Sequence, residues 1–551
     1  MYCLKRICWR NRSSRNDMVP TQRSRKTRGF RFAAMGSSAA LLFFAIPSPG
    51  LSTLPAFPGA EGSGALAKGG RGGVVCEVIN LNDSGPGSLR ACAEMSGPRT
   101  VIFGTSGTIV LKSPINIVRP YITIAGQTAP GGGIQVAAKA PGTFPIQQDQ
   151  NGNHIGPSAE NRGPSLISIS THDVVIRYLR LRPGYTGPAG TTASGQIGGV
   201  GIGSNAHDVI LDHLSINWWT GVAVGMWDNP NGGPTRTLRR ISVQNSLMSE
   251  SLGFRFGILV GSTERYENAG ENMGDIDLHR NMLSTTYARF PLIGRFSGEA
   301  RLTNNIFYNT YGNQTGVRSA DPPKSGLEID VIGNLYDLGP TPKSSSRGLY
   351  PVTIERNDEY PSKVYVSGNW SDVHGYDDFN MVTVSGSASG SQTPNNPAPA
   401  IYRKSTPNPT PAIPIPLVPV DELEDHILPA IGASRRLDCE GNWTFNRDSV
   451  DVRVIEDGYK SRRAAFFIEH EDQVGGFPAI ERGIRCVDTS ADGIPDAWLI
   501  RNGLGTDLSE PIGSRFHDSG FTFLELYLNG MHVNDSWRKA PASPPGGVTV
   551  Q

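Results

Sequence analysis

From about Leu166 the chain settles into a recurring pattern: a short run of alternating apolar and polar positions, one polar residue, then a second apolar run. It reads HDVVIRYLRLRPG at 172–184, HDVILDHLSINWW at 207–219, RRISVQNSLMSES at 239–251, GDIDLHRNMLSTT at 274–286, ARLTNNIFYNTYG at 300–312, LEIDVIGNLYDLG at 327–339 and SKVYVSGNWSDVH at 362–374. Alternation marks half-buried strands. Five of these stretches carry Asn at the bend: Asn245, Asn281, Asn305, Asn334 and Asn369. Asn tolerates a left-handed backbone and bonds its own main chain, which suits a sharp corner. A unit that returns every ~20–35 residues, too small to bury its own face, must stack on its neighbours. The pattern predicts an all-β parallel β-helix whose stacked Asn side chains bond from one coil to the next. A β-sandwich is the competing architecture, but the turn dipeptides of regular hairpins are missing.

The pattern changes outside this region, and the changes suggest boundaries. Residues 1–54 form a signal peptide and lead, 55–384 the β-helix, and 385–420 a Ser/Gly/Pro-rich surface excursion. Residues 421–480 then supply a helix (VDELEDHILPAIGAS, with a Gly stop) and strands that pack on the β-helix. A short acidic-loop segment occupies 481–535 and a disordered tail 536–551. In the lead, Arg23, Arg25, Lys26, Arg28 and Arg31 precede the apolar run FAAMGSSAALLFFAI, which PSPGLS then breaks. This is the order of a secretory signal, and the run is short for a spanning helix. Translation is expected to start at Met18 or Met35, and the product to be extracellular or periplasmic, free of the membrane once processed.

Composition adds two limits. The 51 Lys+Arg against 50 Asp+Glu give no basic surplus that would favour a nucleic-acid or acidic-membrane partner. The 66 Gly and 41 Pro beside 38% hydrophobic residues fit a turn-rich β protein better than a disordered one. Removal of the lead takes Cys3 and Cys8 with it and leaves Cys76, Cys92, Cys439 and Cys486. Four cysteines in an exported chain allow two disulfides in three pairings, of which Cys76–Cys92 and Cys439–Cys486 are the local ones; four buried thiols are the alternative. In DTSADGIPD, Asp488, Ser490, Asp492 and Asp496 alternate around Gly493, the spacing of an oxygen-ligand calcium loop, with Asp518 and Glu525 as completing ligands. A solvated acidic turn is the plainer alternative. A calcium ion there would be structural.

Several stretches resemble one family, the bacterial pectate lyases and related polysaccharide lyases with a right-handed β-helix. FPGAEGSGALAKGGRGG, VINLNDSGPGSLRACAE, SGTIVLKSPINI, ITIAGQTAPGGG and VVIRYLRLRPG resemble its opening coils. DVILDHLSINW, LHRNML and ARFPLIG resemble the central ones, and RDSVDVRVIED, VGGFP and DGIPDAW its C-terminal region. The resemblance spans Ala56 to Gly530. It implies β-elimination on a polyuronate, by a protein acting as a monomer on a pectin-like polysaccharide. The family's base is an arginine followed by x-Pro, which Arg289, Phe290 and Pro291 match, and Arg295 falls about where a second, carboxylate-binding arginine stands. The resemblance also implies a cleft calcium held by acids on two adjacent coils. Here those positions read Gly199, and Gly221 and Val222 after Thr220, so the site looks lost or rebuilt, with Asp228 and Glu250 the nearest replacements.

Other residues are candidates for contact with the polymer. Trp218, Trp219 and Trp227 offer stacking faces for sugar rings, with packing between coils as the alternative. Arg240 and Arg255 are expected to stand in for the metal's charge, and His279 to face the cleft or serve as a structural histidine. His213 beside Asp212 reads as a fixed pair under the site. The expected activity is that of a secreted polysaccharide lyase, possible without the usual cleft calcium. The alternative is a non-catalytic glycan-binding β-helix that keeps the scaffold after losing the metal.

Overall fold

The computed structural model describes residues 54–535 apart from 139–163, 186–195, 229–236, 263–271, 320–325, 342–348, 387–395, 463–466 and the single positions 204, 254, 313, 508 and 510. All of these belong to one compact unit, Thr53–Gln551. The signal run, the Met18 and Met35 starts and the tail at 536–551 lie outside the described residues.

Strands are short, and every third one pairs with the next in parallel, so the chain winds into a right-handed β-helix with three sheets of ten, nine and nine strands. The ten-stranded sheet runs from Val74–Val78 to Lys363–Ser367, and a nine-stranded sheet holds Gly198–Gly203, Val222–Asp228, Phe256–Ser262 and Leu292–Gly294 side by side. Coil-to-coil register stacks like on like. Ile122, Val174, Val209, Ile241, Ile276, Ala300, Ile329 and Val364 form one continuous row, all buried inside the helix. Neighbouring strands lie about 4.8 Å apart, so each side chain touches its equivalents above and below, and no coil buries its own apolar face alone.

The asparagine stack is present, displaced by one residue from the corner. The left-handed φ belongs to the residue before each Asn: Arg280 (51°), Asn304 (53°), Gly333 (62°) and Gly368 (67°). The Asn then points inward and links coils. Asn281 donates from its main-chain N and Nδ2 to Asn305 Oδ1 (3.0 and 3.1 Å), Asn305 likewise to Asn334 (2.9 and 2.9 Å), and Asn334 to Asn369 (2.8 and 3.0 Å). Asn245 does not belong to this stack. It holds the left-handed corner itself (52°), and Ser246 takes the inward place, its main-chain N donating to Asn281 Oδ1 at 3.0 Å. At the far end Asp378 Oδ1 accepts from both Asn369 nitrogens, and Oδ2 from the Gly368 N–H.

Both local cysteine pairs are disulfides, Cys76–Cys92 and Cys439–Cys486. The segments outside the coils cover two of the three sheets. Ala56–Ala67 packs on Val175 and Ile210 of the ten-stranded sheet, and the Trp498, Leu524 and Leu528 helices pack on Ile102 and Ala125 of the same sheet. Val420, Leu423, Ile427, Val454 and Tyr459 bury the outer face of Leu247, Met282 and Ile306. An ionic clamp fixes the C-terminal part, with buried Arg182 donating to Asp448 (2.6 and 3.0 Å) and Asp451 (3.2 Å). On the outer face of the sheet containing Leu292–Gly294, the buried Val222, Trp227 and Leu259 pack with the half-buried Phe256 and Leu292.

Asn334→Ala would strip partners from Asn305 above it and from Asn369 below, all of them buried. The expected loss is about 3 kcal/mol, read as a fall in the urea midpoint, whereas Asn245→Gly, outside the stack, should cost about 1 kcal/mol or less.

Candidate active site

Arg289 and Arg295 flank strand Leu292–Gly294 in its nine-stranded sheet. Main-chain bonds fix the approach to that strand. Tyr287 N donates to Arg255 O (3.2 Å), Gly257 N to Ala288 O and Ile258 N to Arg289 O (both 3.0 Å). Arg289 and Arg295 have φ of 68° and 66°. Left-handed corners recur throughout the coils, so these angles report the fold and not a strained catalytic backbone.

The Arg289 guanidinium lies flat on Phe256, with Cζ 3.6 Å from the ring centroid. Arg255 immediately precedes that ring, and burial lowers its pKa. The aromatic contact continues from coil to coil: Phe256 to Tyr287 at 6.1 Å, Tyr287 to Tyr311 stacked at 5.4 Å, and Tyr311 edge-on to Phe467 at 5.6 Å. All four rings are half-buried. At the other end of the strand, Ser262 Oγ donates to the Arg295 carbonyl, and Ser262 is also the register partner of Asp228. Asp228 therefore lies two strands from Arg295, about 10 Å between backbones.

No family model matches the chain. Curated relatives do. A probable pectate lyase C of Aspergillus flavus is 30% identical over 480 residues, covering 87% of this chain and 94% of the relative. That of Neosartorya fischeri is 30% identical over 495 residues, covering 90% and 98%. The chain belongs to the pectate lyase family. It is therefore a polysaccharide lyase, and its matched relatives are fungal where the sequence motifs suggested bacterial kinship. Among solved structures, a pectate lyase bound to a hexasaccharide aligns with TM-score 0.45 at 12% identity, over 69% of this chain and 98% of that one. The cedar-pollen allergen jun a 1 aligns with TM-score 0.43 at 14%, over 68% and 92%.

The lyase brings together only some of the residues its sequence nominates. Arg289 lies on Phe256, which follows Arg255 in sequence. The three tryptophans do not form open sugar platforms. Trp219 is inside the coil core, its Nε1 bonded to Phe256 O (2.7 Å). Trp218 is buried among Leu252, Val450 and Ile468 and donates to Glu250 (3.0 Å). Trp227 is 2% exposed and lies over Gly261, where a Cβ would come within 2.9 Å of its ring. Arg240 belongs to the ten-stranded sheet, where Nε and Nη2 hold both oxygens of Asp208 at 2.7 Å. His279 is in that sheet too, fully buried beside Glu61 and Arg280, so it faces no cleft.

Among the described residues, too few carboxylates stand on the strands around Arg289 and Arg295 to hold the implied cleft calcium. Calcium takes six to eight oxygens, yet the strands Gly198–Gly203, Val222–Asp228, Phe256–Ser262 and Leu292–Gly294 carry Asp228 as their one carboxylate. Gly199 has no room for an acid, since a Cβ there would meet Ile216 at 2.7 Å. Glu250 is already held by Arg453 and Trp218. In the C-terminal set the carboxylates bond groups of their own loop and its neighbours. Asp488 accepts from Ser490 Oγ and Gly493 N, and Asp492 from Ile494, Ile512 and Gly513 N–H groups. Asp496 turns to Thr489, Glu525 to Arg71, and Asp518 is exposed. Among the described residues the one triple of ligand atoms within 4.8 Å is His470, Glu471 and Asp472, where the His470 ring is already spent capping a helical turn.

Tyr287 and Tyr311 were missed, though the repeat announces them. Thr286 and Thr310 are register partners, and each is followed by Tyr.

Burial, and then Arg280, hold the His279 pKa down from 6.5 to about 3. The unfolded chain takes up this proton near pH 6.5 and the folded chain does not, so stability is full above that value and falls with pH towards 3. This group alone contributes a slope of about 1.4 kcal/mol per pH unit, while burial raises Glu61 beside it from 4.5 to about 7, a contribution of opposite sign between those values. Urea unfolding of the wild type and of His279→Gln between pH 6.5 and 4 should isolate the histidine, the difference between the two changing by about 1.4 kcal/mol per pH unit.

Proposed function

We propose that this lyase cleaves a pectin-like polyuronate by β-elimination with no calcium ion in its cleft. The proton at C5 of a uronic acid unit passes to a base, and the C5–H electron pair becomes the C4=C5 double bond. The C4–O bond breaks, its pair leaving on the glycosidic oxygen, which takes up a proton. Arg289 is the base, and Arg295 binds a substrate carboxylate as a planar fork.

The observation that carries this reading is the setting of Arg289, stacked on Phe256, the residue after Arg255, beside strand Leu292–Gly294. An arginine ordinarily keeps its proton up to pH ~12 and beyond, and the π face of Phe256 favours the charged form further. Nearby positive charge and exclusion of water act the other way. Arg255 supplies that charge where a metal would otherwise do so, and a bound polymer excludes the water. The two disulfides and the apolar N-terminal run support export to an oxidising compartment. No helix among the described residues is long and apolar enough to cross a membrane.

The ultraviolet absorbance of the unsaturated product should rise on pectate or on methyl-esterified pectin. The rate should persist in a chelator and climb into the alkaline range. Arg289→Ala should lower kcat by about a hundredfold or more. Full activity in that variant would remove Arg289 as the base, and collapse of the rate in chelator would restore the metal.

A further inference from the structure

The geometry points to Thr315 and Tyr336 as positioning residues, a pair of buried hydroxyls that sets the place of Arg289 from inside the coil. The inference rests on Arg289 as the base and extends that reading to residues no substrate can touch. The main chain is irregular at this point. Phe256 pairs with Ala288 and Leu259 with Leu292, so Gly257 and Ile258 face three residues, Arg289, Phe290 and Pro291. One coil carries an extra residue, and a bulge of this kind re-aims the side chain it holds. Here that side chain is Arg289, whose guanidinium lies on Phe256.

The bulge has a consequence inside the coil. The Phe290 side chain belongs to the core, and its carbonyl accepts there from Thr315 Oγ1 at 2.8 Å. Thr315 opens strand Thr315–Arg318, one coil on, and its hydroxyl spends its one hydrogen on that carbonyl. The Thr315 oxygen therefore accepts from Tyr336 Oη, 3.1 Å away. Tyr336 comes from strand Leu335–Asp337 of the other nine-stranded sheet. Its ring lies tilted against Phe307 at 4.9 Å, and Phe307 meets Phe290 edge-on at 6.2 Å. Phe290, Thr315 and Tyr336 are all fully buried. Burial raises the Tyr336 pKa, so the phenol keeps the proton it donates.

Packing alone does not call for these two residues. The core of these coils holds Ile293, Phe307, Val317 and Ile354, and a valine and a phenylalanine would bring no hydroxyl to desolvate. What the hydroxyls add is the last main-chain partner of the bulge. Arg289 O accepts from Ile258 N (3.0 Å), Phe290 N donates to Gln314 O (2.9 Å), and Pro291 O accepts from Gly316 N (2.8 Å). Pro291 has no N–H. With Thr315 on the Phe290 carbonyl, every main-chain polar group from Arg289 O to Pro291 O is held. The ring beneath the guanidinium is held in the same manner, since the buried Trp219 Nε1 donates to Phe256 O at 2.7 Å. Both partners of the stack thus take their position from side-chain donors inside the coil.

Nuclear magnetic resonance of the full chain with isotope-labelled arginine tests this without turnover. The Arg289 Nε–Hε resonance is identified by its absence in Arg289→Ala, and the Phe256 ring should shift it upfield. Thr315→Val should return it towards the position of a free arginine. The same variant should lower kcat about ten- to a hundredfold with KM within about twofold. Thr315→Ser, which keeps the hydroxyl, should hold both readouts near wild type, and Tyr336→Phe should fall between the two. Val331→Ala, in the core of the ten-stranded sheet, should lower the urea midpoint and leave the resonance and kcat unchanged. A resonance unmoved in Thr315→Val and Tyr336→Phe, or an equal loss of kcat in Val331→Ala, would overturn the positioning role. A displaced resonance with full kcat would uphold that role and sink Arg289 as the base.

Discussion

Everything in this molecule depends on coils stacking in register. A parallel coil satisfies its main-chain N–H and C=O groups only through the coils above and below, and its apolar side chains find their neighbours in the same direction. The row from Ile122 to Val364 and the run of amides from Asn281 to Asn369 are two expressions of that constraint. Once the register is set, the outward-facing residues are aligned from coil to coil as well. An aromatic side chain recurring at one place in the repeat then becomes a ladder with no further device, as Thr286–Tyr287 and Thr310–Tyr311 illustrate.

The same constraint divides the surface. Appended segments bury the outer faces of two sheets, and buried ion pairs lock them there. Arg182 with Asp448 and Asp451 is the clearest case, because an arginine taken out of water is tolerable only when its hydrogen bonds are met. In the third sheet, the strands Gly198–Gly203, Val222–Asp228, Phe256–Ser262 and Leu292–Gly294 carry one acid, Asp228, and Arg289 and Arg295 flank the last of them.

The fold was legible in the sequence because strand alternation and coil period are written in residue type. The one-residue displacement of the asparagines was not, since Asn suits both a left-handed corner and an inward amide stack; Asn245 takes the first role and Asn281 the second. Arg289 could be named from its Pro-spaced motif. The tryptophans misled because their faces look alike in sequence whether they line a cleft or fill a core, and only the direction of the side chain separates the two. Asp488, Asp492 and Asp496 misled for a related reason. The spacing that would converge oxygens on an ion also lets each carboxylate accept main-chain N–H groups of its own loop.

The asparagine stack ends on a carboxylate. Asp378 accepts the last Asn amide and two main-chain N–H groups, and an ionised carboxylate has no hydrogen to pass on. A repeating structure with an open end invites another molecule to continue it, which is how exposed strand edges seed fibrous aggregates. A terminal group that can only accept breaks that succession. Asp378 ends the amide stack, and segment 398–404 closes the last coil. Ala398 N donates to Val382 O and Lys404 N to Val364 O, with Ala398 and Tyr402 completing the core. A shape that has no inherent length is thereby given a place to stop.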